Sequence, residues 1–103
     1  MIKKTYDIPP DTLMDICKRI YRLEKKIVEE SSTLVIQTEA SLKSFGELIH
    51  IEVQPETSEN SAIVSFKSES RYGQAIDWGK NLENETHFFN TLEKIISKYQ
   101  HIE

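Results

Sequence analysis

The chain has 103 residues with thirteen Lys/Arg against seventeen Asp/Glu, a formal charge of −4. That length fits one domain with a modest core, and that charge argues against nucleic-acid binding, which rests on a basic footprint. The single cysteine, Cys17, cannot form an internal disulfide and suits a reducing compartment.

No apolar run follows the lysines of MIKKTYDIPP, so no signal peptide is expected. No stretch approaches the roughly 20 apolar residues that span a bilayer. The expected setting is cytoplasmic, without integral membrane association.

Ile2, Tyr6 and Ile8 share one parity and Lys3, Thr5 and Asp7 the other, which predicts an opening strand. Pro9-Pro10 ends it, because proline cannot feed a ladder. Pro10 and Asp11 suit a helix entry, and Leu13, Ile16, Cys17, Ile20 and Leu23 make an apolar stripe at spacings of three and four. The helix is expected to reach about Leu23, with a short strand at Lys26–Glu30 and a hairpin turn at Ser31-Ser32.

TLVIQTEA (33–40) places Leu34, Ile36 and Thr38 on one face, and ELIHIEVQ (47–54) turns Ile49, Ile51 and Val53 inward. PETSENS is turn chemistry. SAIVSFKSES (61–70) sets Ala62, Val64 and Phe66 against Ile63, Ser65 and Lys67. Phe88, Phe89, Leu92, Ile95, Ile96 and Tyr99 mark a helix running toward the end of the sequence.

The order is strand, helix, four antiparallel strands, helix. It predicts a two-layer α+β domain over residues 1–103, a curved antiparallel sheet with one apolar face covered by the last helix. This β-α-β4-α order is similar to the TATA-box-binding-protein-like and helix-grip folds, a likeness of topology that carries no function.

RYGQAIDWGKN (71–81) joins the last strand to the last helix. As a joint, Gly79 takes a positive φ, Asn81 caps the helix, Asp77 accepts turn N–H groups and Trp78 packs over the helix base. As an anion site, the helix N-terminus is flanked by Lys80 and Arg71, without the GxxxxGK[ST] of a phosphate loop. VSFKSES, then IDWGKN, then a helix from Leu82 resembles a group of small bacterial domains of unassigned function. The resemblance covers about the last 40 residues and implies a fold, with no activity attached.

Other chemistry has little support. His50, His87 and His101 show no metal-ligand spacing, so no metal or cofactor is expected. Cys17 lies on the apolar stripe and reads as core. Glu39, Glu52 and Glu69 have outward parity and would carry any acid–base catalysis by groups converging on the sheet. Lys18, Arg22, Lys25 and Lys26 form a basic stripe if the first helix persists, facing solvent, an acidic partner or anionic lipid.

Val35, Leu48 and Ile63 point outward beside His50, a candidate binding or dimer surface. The leading expectation is a non-catalytic module for an apolar small ligand or a protein partner, a second copy included. An inner cavity lined by Tyr6, Ile36, Ile51, Phe66 and Phe89 with a buried carboxylate or histidine would favour an enzyme or ligand carrier, and a closed core would leave only surfaces.

Overall fold

The computed structural model describes residues 2–22, 26–30, 32–38, 46–57, 60–70 and 80–102. Its elements are β1 (Ile2–Tyr6), α1 (Pro10–Ile20), β2 (Lys26–Glu30), β3 (Thr33–Gln37), β4 (Glu47–Pro55), β5 (Ala62–Ser70) and α2 (Lys80–Ile102). The strands form one antiparallel sheet in the order β1-β5-β4-β3-β2. This is the α+β architecture that the alternation and helical stripes predict.

The sheet is built outward from its longest hairpin. β4 and β5 pair from Glu47↔Ser70 to Pro55↔Ala62, and the Glu56 N–H donates to the Ser61 carbonyl across the turn at 3.0 Å. β3 adds to one side in the register Leu34↔Ile51 and Ile36↔Ile49. Glu30 then lies opposite Thr33, so β2 returns through a two-residue connection, the hairpin expected there. β1 closes the other side with Ile2↔Phe66 and Tyr6↔Ala62.

Strict alternation puts Leu34, Ile36, Ile49, Ile51, Val53, Ala62, Val64 and Phe66 on one buried face. Both helices cover that face, α2 against β5 and α1 against β4, β5 and α2. Leu13, Met14, Ile16 and Cys17 supply the first helix and Phe88, Phe89, Leu92 and Ile96 the second. At the centre, Phe66 stacks on Phe88 with ring centroids 4.8 Å apart and meets Phe89 edge-on at 5.9 Å. Each large side chain buried this way contributes about 1.5–3 kcal/mol.

α1 enters as expected, with Pro10 as its first residue and the Leu13 N–H donating to the Pro9 carbonyl at 2.9 Å. It ends at Ile20, before Leu23. The Tyr21 and Arg22 N–H groups turn to the carbonyls three residues back, Lys18 and Arg19, tightening the last turn. Tyr21 is buried and stacks toward Phe88 at 6.1 Å.

That early stop undoes the basic stripe as a helical feature. Lys26 belongs to β2, and Lys25 lies outside the described residues. Lys18 forms an ion pair with Glu29 of β2. Glu29 shares the inward parity of Ile27, which is why an edge-strand carboxylate meets α1 at all.

β3 also ends early, at Gln37 instead of residue 40. Thr38 leaves the regular pairing because its side chain enters the hydrogen bonding: the Glu47 N–H donates to Thr38 Oγ1 at 2.7 Å, while the Thr38 N–H donates to the Glu47 carbonyl at 3.0 Å. Gly46, just before, has φ 98°, a left-handed conformation that a Cβ would oppose.

Candidate functional site

With both helices on one face, the other face of the sheet is uncovered by any described element. The register fixes its cross-strand rows. Val28, Val35, His50 and Lys67 stand side by side across four strands, and Thr33, Glu52, Ser65 and Lys3 make the next row. Leu48 stands between Gln37 and Glu69. The resulting depression, of about 430 Å³, is lined by Lys3, Thr33, His50, Glu52, Ser65, Lys67 and Glu69 over the backbones of Ile51 and Phe66.

Its centre is a charge cluster. His50 Nε2 lies 3.0 Å from Glu69 Oε1, and Lys67 Nζ lies 3.5 Å from Glu69 Oε2. The Lys67 ammonium holds the Glu69 carboxyl below its ordinary range, with the His50 hydrogen bond acting in the same direction. All three side chains are about half exposed, so the cluster is open to a guest and partly screened by solvent.

The covered face carries a second polar group of residues. Glu47 continues the inward parity of Ile49, Ile51 and Val53 and is fully buried, at 0 % exposure. Thr38 Oγ1 lies 3.2 Å from Glu47 Oε1, and Asn84 Nδ2 of α2 donates to the same oxygen at 3.0 Å. Asn84 Nδ2 also donates to Ser68 Oγ at 3.1 Å, and Ser68 Oγ donates to Asn81 Oδ1 at 2.7 Å. Buried polar atoms need such partners, and among the described residues no buried side-chain polar atom lacks one. The chain of bonds ties the first turns of α2 to the β3–β4 and β5 ends of the sheet.

Comparisons with family models, curated proteins and solved structures find no match for this chain.

The expected surface residues are brought together in part. Val35, His50 and Leu48 are neighbours, while Ile63 stands between Gln54 and Thr5, beyond the Glu52–Ser65 row. Val28, unforeseen on this face, extends the apolar patch at 56 % exposure. Of the three outward glutamates, Glu69 and Glu52 line the depression and Glu39 lies outside the described residues. Glu69 faces Leu48, four residues along β4 from Glu52, so their backbones stand about 13 Å apart along the strand. Paired catalytic carboxylates of glycosidases work at about 5–9.5 Å.

Arg71, Asp77, Trp78 and Gly79 lie outside the described residues, as does the loop they define. Lys80 is the first residue of α2 and Asn81 the second. Asn81 therefore stands inside the helix, two steps past the capping position expected for it, and its side chain accepts from Ser68.

The residues that would line an inner cavity, were one open, belong to the core and its margin. Ile36, Ile51, Phe66 and Phe89 are buried in it. Tyr6 packs at its margin, and its hydroxyl donates to Glu93 Oε2 at 2.9 Å. Cys17 is buried as expected, and burial pushes its thiol up to about 12. Among the described residues, no three His, Cys, Asp or Glu side chains gather as metal ligands, and no helix is long and apolar enough to cross a membrane.

Glu47 escaped the sequence reading, although a signal for it exists. It sits two residues before Ile49 on the inward parity of an otherwise apolar face.

Proposed function

We propose that the chain is a non-catalytic interaction module that receives a protein partner on the uncovered face of its sheet. The observation that supports this reading is the depression of about 430 Å³ on that face, where charges of both signs adjoin the apolar Val28, Val35 and Leu48. Its occupant is a polar segment with an apolar anchor: the anchor covers the valines, and its charged groups meet Lys67, Glu69 and Glu52. An apolar small molecule is the less favoured guest. Its room is a depression of about 500 Å³ at Pro9, Pro10, Met14, Val53 and Pro55, beside Asp11 and Ser32.

The β-α-β4-α order and the strand order β1-β5-β4-β3-β2 support the likeness to TATA-box-binding-protein-like and helix-grip folds, which lends no function.

The test is a random dodecapeptide library panned against the chain, with bound peptides mapped by amide chemical-shift changes. Shifts should concentrate on His50, Glu52, Ser65 and Lys67, and Glu69→Lys should weaken binding about tenfold. Shifts confined to Met14 and Val53 would move the site to the apolar depression and overturn the proposal.

A second reading, an enzyme, has one observation in its favour. His50 is hydrogen-bonded to a carboxylate, the arrangement that orients a general base. An ester- or phosphoester-hydrolysing activity lost in both His50→Ala and Glu69→Ala, with folding intact, would favour it over the interaction module.

A further inference from the structure

We propose that the β2 edge is a self-recognition surface, on which a second copy of this chain pairs antiparallel about Val28. It shares Val28 with the partner surface proposed above but uses the strand's backbone edge and does not depend on that reading. Among the described residues β2 is the last strand on its side of the sheet, and the outward N–H and C=O groups of such an edge can take another strand. Val28 is 56 % exposed, and Glu29 and Glu30 are exposed beside it.

The sequence of the edge selects the occupant. In KIVEE, Lys26 and Glu30 stand two residues either side of Val28. A two-fold antiparallel pairing centred on Val28 therefore sets Lys26 opposite the second copy's Glu30, and Glu30 opposite the second copy's Lys26. This self-complementarity is what an isologous contact requires. At the axis the two Val28 side chains meet across about 5 Å, extending the row Val28, Val35, His50 into its symmetric counterpart. Ile27 faces the copy's Glu29, whose carboxylate its own Lys18 already holds.

β1, the opposite edge, lacks this property. The same operation on IKKTY is centred on Lys4 and forms no opposite-charge pair, since the strand has no acid and the Lys4 ammonium is held by Glu93 of α2. One edge matches itself and the other does not.

Five residue pairs bury less than the roughly 1,200 Å² of a stable interface, so the contact is concentration-dependent. Sedimentation equilibrium up to about 1 mM chain should show wild-type dimers. Lys26→Glu and Glu30→Lys each set like charges opposite one another twice, and each should weaken association about tenfold. An equimolar mixture of the two variants restores both opposite pairs and should associate at least as well as wild type. A loss caused by misfolding would persist on mixing, so the mixture separates the two causes. A wild type that stays monomeric, reversals without effect, or a mixture no better than its components would each overturn the proposal.

Discussion

Asn84→Ala tests the polar tie between α2 and the sheet. The change removes one amide that donates to the fully buried Glu47 carboxyl at 3.0 Å and to Ser68 at 3.1 Å. A hydrogen bond to a carboxyl oxygen is worth about 1.5–3 kcal/mol when the acceptor is charged, and a neutral one about 1. The Ser68 share is at the low end, because its hydroxyl keeps Asn81 at 2.7 Å. Alanine recovers about 0.6 kcal/mol of helix propensity.

The net loss should be about 1.5–3 kcal/mol, a fall in melting temperature of about 6–24 °C for a domain of this size. Urea unfolding followed by circular dichroism reads it directly, with an unchanged m-value as the check that only stability moved. Asn84→Asp should cost more, since it replaces a donor by an acceptor facing the carboxyl. A loss below about 0.5 kcal/mol for alanine, within the range of ordinary surface changes, would show that water replaces the amide freely and would refute the tie.

Phe66→Ala should cost about 3–5 kcal/mol in the same assay, and a loss under about 1 would mean the aromatic cluster is not the centre of the core. Gly46→Ala should cost about 1 kcal/mol or more, because its φ of 98° is resisted by a Cβ; an unchanged urea midpoint would refute that. Alkaline pH should destabilise the fold. The unfolded thiol of Cys17 ionises from its ordinary value of 9.0, while the native thiol holds its proton to about 12. That contribution is therefore intact below pH 9 and is lost above it at about 1.4 kcal/mol per pH unit. Desolvation and Glu93 raise Tyr6 in the same direction. Urea midpoints at pH 8 and 10 should differ accordingly, and the difference should shrink in Cys17→Ala to the part that Tyr6 carries; equal midpoints in the wild type would contradict the burial of the thiol.

The fold was legible because its signals are local and periodic. The parity of Leu34 and Ile36, of Ile49 to Val53 and of Ala62 to Phe66 needs only the two-residue repeat of a strand. The spacing of Phe88, Leu92 and Ile96 needs only the turn of a helix. The ends were less legible, since α1 stops at Ile20, where Tyr21 leaves the helix to stack on Phe88, nearly seventy residues away. The inner polar group was missed for a related reason. Glu47 is tolerable on the buried face only because Asn84 of a distant helix reaches it, and no local pattern announces that meeting.

The two ends of the described chain also meet. Lys4 and Tyr6 both bond Glu93, and Lys4 Nζ lies 4.7 Å from the centre of the Phe89 ring, while β1 has its ladder partner in β5, with Ile2 opposite Phe66. During synthesis the first strand therefore emerges before anything it can pair with. At about 5–20 residues per second it waits roughly 3–13 s for Phe66 to follow, and longer for Glu93. An extended segment exposed for that time is an invitation to wrong pairing between nascent chains. The two lysines of IKKTY stand guard over that interval. Before it meets Glu93 of the last helix, Lys4 is an unpaired charge, and like charges set opposite one another disfavour strand pairing.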